Sequence, residues 1–289
     1  MSESNLCLAF DGTTKDGEHI NEARVARANG PSLVLQLSAL AGGTTEDYAG
    51  HIKNALNDIG LTQTAFMKED VHTVMSTIIS SLTSTITDRC SVNHCVIEML
   101  KTDLDVDLLE LKCNVHPLDG LAHKSRHVLK KVDANLEVKS ELFGSECKTA
   151  NVIYSLSKMR YKQGKGDPSG FKFFMKKDNV SPGLIVRYVG NRVHVTFHLA
   201  GVSFFLRDLL QLYLDKYSRN TTSWRTALQK DLRNEVIMMQ LRCLGLMGKF
   251  LTGPWMREFY ANTTKRTNLQ MIPHMHKCMS SLKNYQETR

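Results

Sequence analysis

Apolar positions in the first sixty residues alternate with a period of two and then shift to a helical period. Asn5–Phe10 is a short apolar run that reaches Asp11-Gly12-Thr13-Thr14, which predicts a strand entering a turn. His19–Ala28 can return as a second strand, and Leu33, Leu35 and Leu37 alternate through Ser32–Leu40 as a third. Ala41-Gly42-Gly43 breaks the chain. Thr44 then suits a helix N-cap, with Asp47 as a capping-box partner, and Tyr48, Ile52, Ala55, Leu56 and Ile59 share one helical face. Gly60 is placed to end that helix as its C′ residue. The reading is β-β-β-α.

Further along, Val71, Val74, Met75, Ile78, Ile79 and Leu82 predict a helix over Glu69–Leu82. Thr83–Thr87 is β-branched and predicts a buried strand ending at Asp88, after which Ser91 caps a helix. Leu108–Val115 reads as another strand. Beyond Leu118 the pattern becomes helical, over His123–Val132, Glu146–Arg160, Val195–Leu214, Thr226–Lys249 and Met271–Asn284. The loop Gln163–Gly170 and the turn Ser181-Pro182-Gly183 punctuate it. The expected organisation is an α/β domain over 1–135 followed by a mainly helical region over 136–289.

Composition narrows the classes. Hydrophobic residues make up 42% of the 289 and charged residues 23%, the balance of a folded globular chain and not of a disordered one. No apolar stretch approaches a membrane span, so no membrane partner is expected. The polar start lacks the basic-then-apolar order of a secretory leader, and the seven cysteines are odd in number. They read as reduced thiols, which places the protein in the nucleus or cytoplasm. Lys and Arg exceed Asp and Glu, 37 to 29, and a charge of +8 favours polyanionic partners.

Asp11 and Asp88 are the sharpest chemical feature. Each follows a predicted strand, where a rigid backbone can present a carboxylate to a divalent cation. Two such carboxylates on neighbouring strands suit Mg²⁺ or Mn²⁺, which activate water and stabilise a leaving oxygen in phosphodiester displacement. A turn residue for Asp11 and a helix cap for Asp88 is the alternative. Lys158–Lys177 interleaves cations with Tyr161, Phe171, Phe173 and Phe174, a composition suited to a nucleic-acid groove. Its candidate contacts are Lys158, Arg160, Lys162, Lys165, Lys172 and Lys176, joined by Arg192. A solvated helix end with core Phe residues is the other reading. Cys90-x4-Cys95 and Cys113-x2-His116 are too loosely spaced for a strong zinc site, so zinc is not expected.

Several segments, in order, resemble the hAT transposases. Phe10-Asp11-Gly12-Thr13 is similar to the family's first catalytic aspartate, and Thr44–Tyr48 through Asn57–Gly60 to its following helix. Thr87-Asp88-Arg89-Cys90-Ser91-Val92-Asn93 is similar to the segment carrying the second aspartate, and Cys113-Asn114-Val115-His116-Pro117-Leu118 to its C-x-x-H-x-L motif. Gly190-Asn191-Arg192 is a weaker echo of the family's T-R-W, with Val193 in place of the aromatic. The resemblance implies an RNase H-like mixed sheet with flanking helices, then an insertion-like helical region. Asp11 and Asp88 would be catalytic metal ligands, Cys113 and His116 motif-structural residues, and the ancestral reaction metal-dependent DNA strand cleavage and transfer. The family's third acid, a Glu, finds no counterpart in context among Glu235, Glu258 and Glu287. A truncated or transposon-derived relative that binds DNA non-specifically and salt-sensitively is the expectation, with its oligomeric state open. An interaction module on the same scaffold is the alternative.

Overall fold

The computed structural model describes residues 5–27, 31–68, 70–113, 115–162, 166–188, 194–217, 222–261 and 271–287. The chain divides into two compact units, Met1–Asn114 and Val115–Arg289.

The first unit is a mixed five-stranded sheet with helices. Its elements run β1 (Leu6–Lys15), β2 (Glu18–Arg27), β3 (Ser32–Leu40), α1 (Thr45–Met67), α2 (Val71–Ser81), β4 (Leu82–Thr87), α3 (Ser91–Leu104) and β5 (Leu109–Lys112). The order across the sheet is β3-β2-β1-β4-β5. The first three strands are an antiparallel meander, whereas β4 and β5 run parallel to β1. Strand alternation sets the layers. Leu8 and Phe10 of β1 and Ala23 of β2 turn one face inward, onto Ala49, Ile52 and Leu56 of α1 and Val96, Ile97 and Leu100 of α3. The other face carries the Glu22–Arg24 ion pair and, on β3, Val34 and Leu37, the latter 66% exposed.

Two local expectations change. β1 does not stop at Phe10, because the hairpin turn is Asp16-Gly17, not Asp11-Gly12. Both turn residues have positive φ, 54° and 89°, the pair of left-handed conformations that a two-residue hairpin requires and that Asp-Gly supplies. Asp11 therefore lies within the strand, opposite Glu22. Gly60 does not end α1 either. Its missing side chain admits Met75 of α2, whose Sδ would sit 2.2 Å from a Cβ there, and the helix runs on to a left-handed cap at Lys68. Thr44 caps α1 as expected, with Asp47 completing the capping box.

The second unit is helical. It comprises α4 (His116–Asn135), α5 (Lys148–Lys158), α6 (Pro168–Lys177), α7 (Val195–Phe205), α8 (Arg207–Leu212), α9 (Ser223–Asp231), α10 (Glu235–Met247), α11 (Gly253–Ala261) and α12 (Met271–Glu287). Ile153, Leu156, Phe171, Phe197, Tyr213, Leu228 and Leu241 belong to its main core. α7 and α10 cross at Gly201 and Gly245, so closely that a Cβ on Gly245 would lie 2.6 Å from the Gly201 Cα. The single helix expected over Thr226–Lys249 is two, because the Asn234 side chain accepts from the Val236 and Ile237 amides and starts α10 afresh. The loop expected over Gln163–Gly170 gives way at Pro168 to α6; Asp167 caps it by accepting from the Gly170 amide, and Pro168 fits its first turn.

Candidate functional site

The parallel β1–β4 ladder brings the two aspartates to one place. Its last pairs set Leu8 beside Thr85 and Ala9 beside Ile86. Two residues further, each chain reaches its aspartate, Asp11 from β1 and Asp88 just past β4. Neighbouring strands lie about 4.8 Å apart. Seventy-seven positions of sequence thus close between two neighbouring interior strands. Asp11 is exposed and Asp88 half-buried. The Asp88 carboxylate is oriented from below: Oδ1 accepts from the Cys90 amide at 2.9 Å and from Asn93 Nδ2 at 2.6 Å. Asn93 is itself buried in α3.

Beside the pair sits a polar chain that the sequence reading did not single out. Tyr48 of α1 packs over Gly12, and its hydroxyl shares a 2.5 Å hydrogen bond with His19 Nε2. A Cβ at Gly12 would meet the Tyr48 oxygen at 1.8 Å. Burial pushes the Tyr48 phenol pKa up, opposed by the Asn21 amide and reinforced by the negative charges of Asp11, Cys90 and Asp88. Deeper in, His51 Nδ1 donates to Asn21 Oδ1 at 2.8 Å, while His51 Nε2 has no partner among the described residues. Burial lowers the His51 pKa. The signal for this chain was present in the spacing: Tyr48 and His51 share a helical face at i, i+3. It was obscured because Tyr48 also fits the apolar face of α1.

The donor set fits one hard divalent ion. Two carboxylates on rigid backbone, with water and phosphate as further ligands, match what Mg²⁺ takes from a protein. Among the described residues no group of three or more His, Cys, Asp and Glu side chains could hold a metal. A groove over α1 and α3, about 580 Å³, is lined by Glu46, Glu98 and Asp103 as well as His94 and Cys95, an acidic lining that repels phosphate.

The basic candidates fall into different environments within the second unit. Lys162, Lys172 and Lys176 are exposed. Lys158 Nζ lies 4.1 Å above the Tyr154 ring, and Arg160 is anchored on the Ile185 carbonyl. Phe171 and Phe174 are core residues against Tyr213, whereas Phe173 is 73% exposed between the lysines. Lys165 and Arg192 lie outside the described residues, as does the Gly190-Asn191-Arg192 segment. Cys113 donates its amide to the Thr87 carbonyl, extending the β4–β5 ladder, and His116 opens α4 on the surface. All seven cysteines are free thiols. Trp255 is core, packed with Leu118, and Trp224 is half-buried against the main core of its unit.

No family model and no curated protein matches the chain. Among the described residues, no helix is long and apolar enough to cross a membrane.

Proposed function

We propose that this is a transposon-derived, RNase H-like protein of the hAT kind that binds DNA through its basic residues and retains the acid pair of a strand-cleaving ancestor. One observation carries the reading: the strand order β3-β2-β1-β4-β5, antiparallel then parallel, with Asp11 on β1 and Asp88 just past the end of its parallel neighbour β4. That is the arrangement the resemblance to hAT transposases implies for Asp11 and Asp88. A bound Mg²⁺ or Mn²⁺ would supply Lewis acidity and an activated water there. The chain's own residues orient it. Asn93 and the Cys90 amide fix the Asp88 carboxylate, and Tyr48, held by His19, packs over Gly12.

Efficient cleavage is not part of the proposal. With two acids and no third ligand placed, a second ion lacks a protein anchor and the water is poorly aimed; a misplacement of about 1 Å costs on the order of 100-fold. A non-catalytic interaction module on the same scaffold is the second reading, favoured by the exposed Val34 and Leu37 on the open face of β3. The test has two arms. Duplex binding should weaken steeply from about 50 to 200 mM salt, with log K falling near 0.9 per phosphate contact, and Lys162, Lys172 and Lys176 to Gln should flatten that slope. Binding indifferent to both leaves the interaction module. Supercoiled plasmid in Mn²⁺ should be nicked little; robust nicking that Asp11→Asn abolishes restores an active nuclease.

A further inference from the structure

The second unit carries a ridge of tyrosines and cations that neither the acid pair nor the α6 lysines explain. Tyr154, 45% exposed on α5, meets Tyr188 edge-on with ring centroids 6.1 Å apart. Lys158 Nζ sits 4.1 Å above the Tyr154 ring, and the Arg187 guanidinium lies 5.7 Å from the Tyr161 ring. Arg126, buried beneath, donates to the Tyr188 hydroxyl at 3.3 Å, and Arg160 ties the segment to the Ile185 carbonyl. The Tyr188 ring is held from below by the buried Arg126, while Lys158 and Arg187 lie over the Tyr154 and Tyr161 rings and the exposed Lys162 follows Tyr161 in the chain. Glu146 pairs with Arg126.

We propose that this ridge binds single-stranded DNA by stacking bases on Tyr154 and Tyr161 while Lys158, Lys162 and Arg187 take the phosphates. The inference rests on the DNA-binding reading and deepens it by naming the strand form. Ring faces reward a base only when it is unstacked, since the faces of duplex bases are already used within the helix. The cations now covering the rings are the groups that move: an arriving base replaces the ammonium over Tyr154, and the ammonium follows the phosphate. Charge selects the occupant, because the cations Lys158, Lys162 and Arg187 favour a polyanion over a peptide.

The experiment is fluorescence anisotropy of the full chain with a labelled oligothymidylate of about twelve nucleotides, within the usual site size. A duplex and an abasic strand of the same length serve as comparisons. Oligothymidylate should bind more tightly than either. Tyr154→Ala and Tyr161→Ala should each lose at least about fivefold on oligothymidylate, leave duplex and abasic binding unchanged, and keep the melting temperature. Tyr154→Phe, which keeps the ring face, should bind as wild type. Lys158→Gln should reduce the salt slope by about 0.7. Equal losses on the abasic strand, or duplex binding as tight as single-strand binding, would overturn the stacking proposal while leaving the general DNA-binding reading intact. Salt-sensitive binding to none of the three would overturn both.

Discussion

Adding one methyl group at Gly12 probes the contact that brings Tyr48 to the aspartates. A Cβ there lies 1.8 Å from the Tyr48 hydroxyl oxygen and 2.7 Å from Cζ. The oxygen must retreat by about 1.6 Å to reach the 3.4 Å at which ordinary contact begins. The 2.5 Å bond to His19 does not survive such a move. Overpacking of this kind costs about 1–3 kcal/mol and the hydrogen bond about 1 kcal/mol. Against them stands about 0.4–1 kcal/mol gained because alanine restricts the unfolded chain. Gly12→Ala should therefore destabilise by about 1–3 kcal/mol. In a Tyr48→Leu background the clashing atoms are gone, and Gly12→Ala should be neutral or stabilising. Urea unfolding followed by circular dichroism on the four proteins yields the coupling energy directly, about 1–3 kcal/mol. A neutral Gly12→Ala in the wild type, or an equal cost in both backgrounds, would show that Tyr48 does not pack where the structure has it.

Two further outcomes concern burial and close packing. His51 and His194 both have pKa values lowered by burial, and at His194 the charge of His198 adds to that. The unfolded chain, with histidines near 6.5, then binds more protons than the folded one at mildly acidic pH. Stability is full above about pH 6.5 and declines as pH falls below it; His51→Asn should shallow the decline, and a flat profile from about pH 7.5 to 5.5 would contradict the lowered pKa values. In the helical unit, Gly245→Ala forces α7 from α10 and should cost about 1–3 kcal/mol or more. Gly120→Ala, with open space around its Cβ in α4, should instead stabilise by about 0.5–1 kcal/mol, and thermal melts of the two variants give the comparison.

Much of the first unit was legible because its signals are local. The alternation of Leu33, Leu35 and Leu37 and the Thr44 cap with Asp47 require no knowledge of neighbouring elements, and β3 and the start of α1 lie where those signals put them. Glycine was the harder letter. Asp11-Gly12 and Asp16-Gly17 are the same dipeptide, yet only the second turns the chain; the first is glycine because Tyr48 occupies the space of its side chain. Gly60 looked like a stop and is a docking notch for Met75. Both depend on tertiary contacts that no window of sequence contains. The aspartates were visible as residues, but the Asn93 bond and the His19–Tyr48 pair became visible only once β1 and β4 were neighbours. In the helical unit, Phe171 and Phe173 differ by two positions and face opposite environments, which the basic, aromatic composition of the segment concealed.

The most direct test of the central claim is Mn²⁺ binding, read by electron paramagnetic resonance on the wild type, Asp11→Asn and Asp88→Asn. The acid pair predicts one ion per wild-type chain and loss of that ion in each variant. At about 100 times the dissociation constant the ion should also stabilise the fold by about 2.7 kcal/mol. Free Mn²⁺ that stays free at millimolar concentration, or binding that both variants preserve, would contradict a metal site built from Asp11 and Asp88.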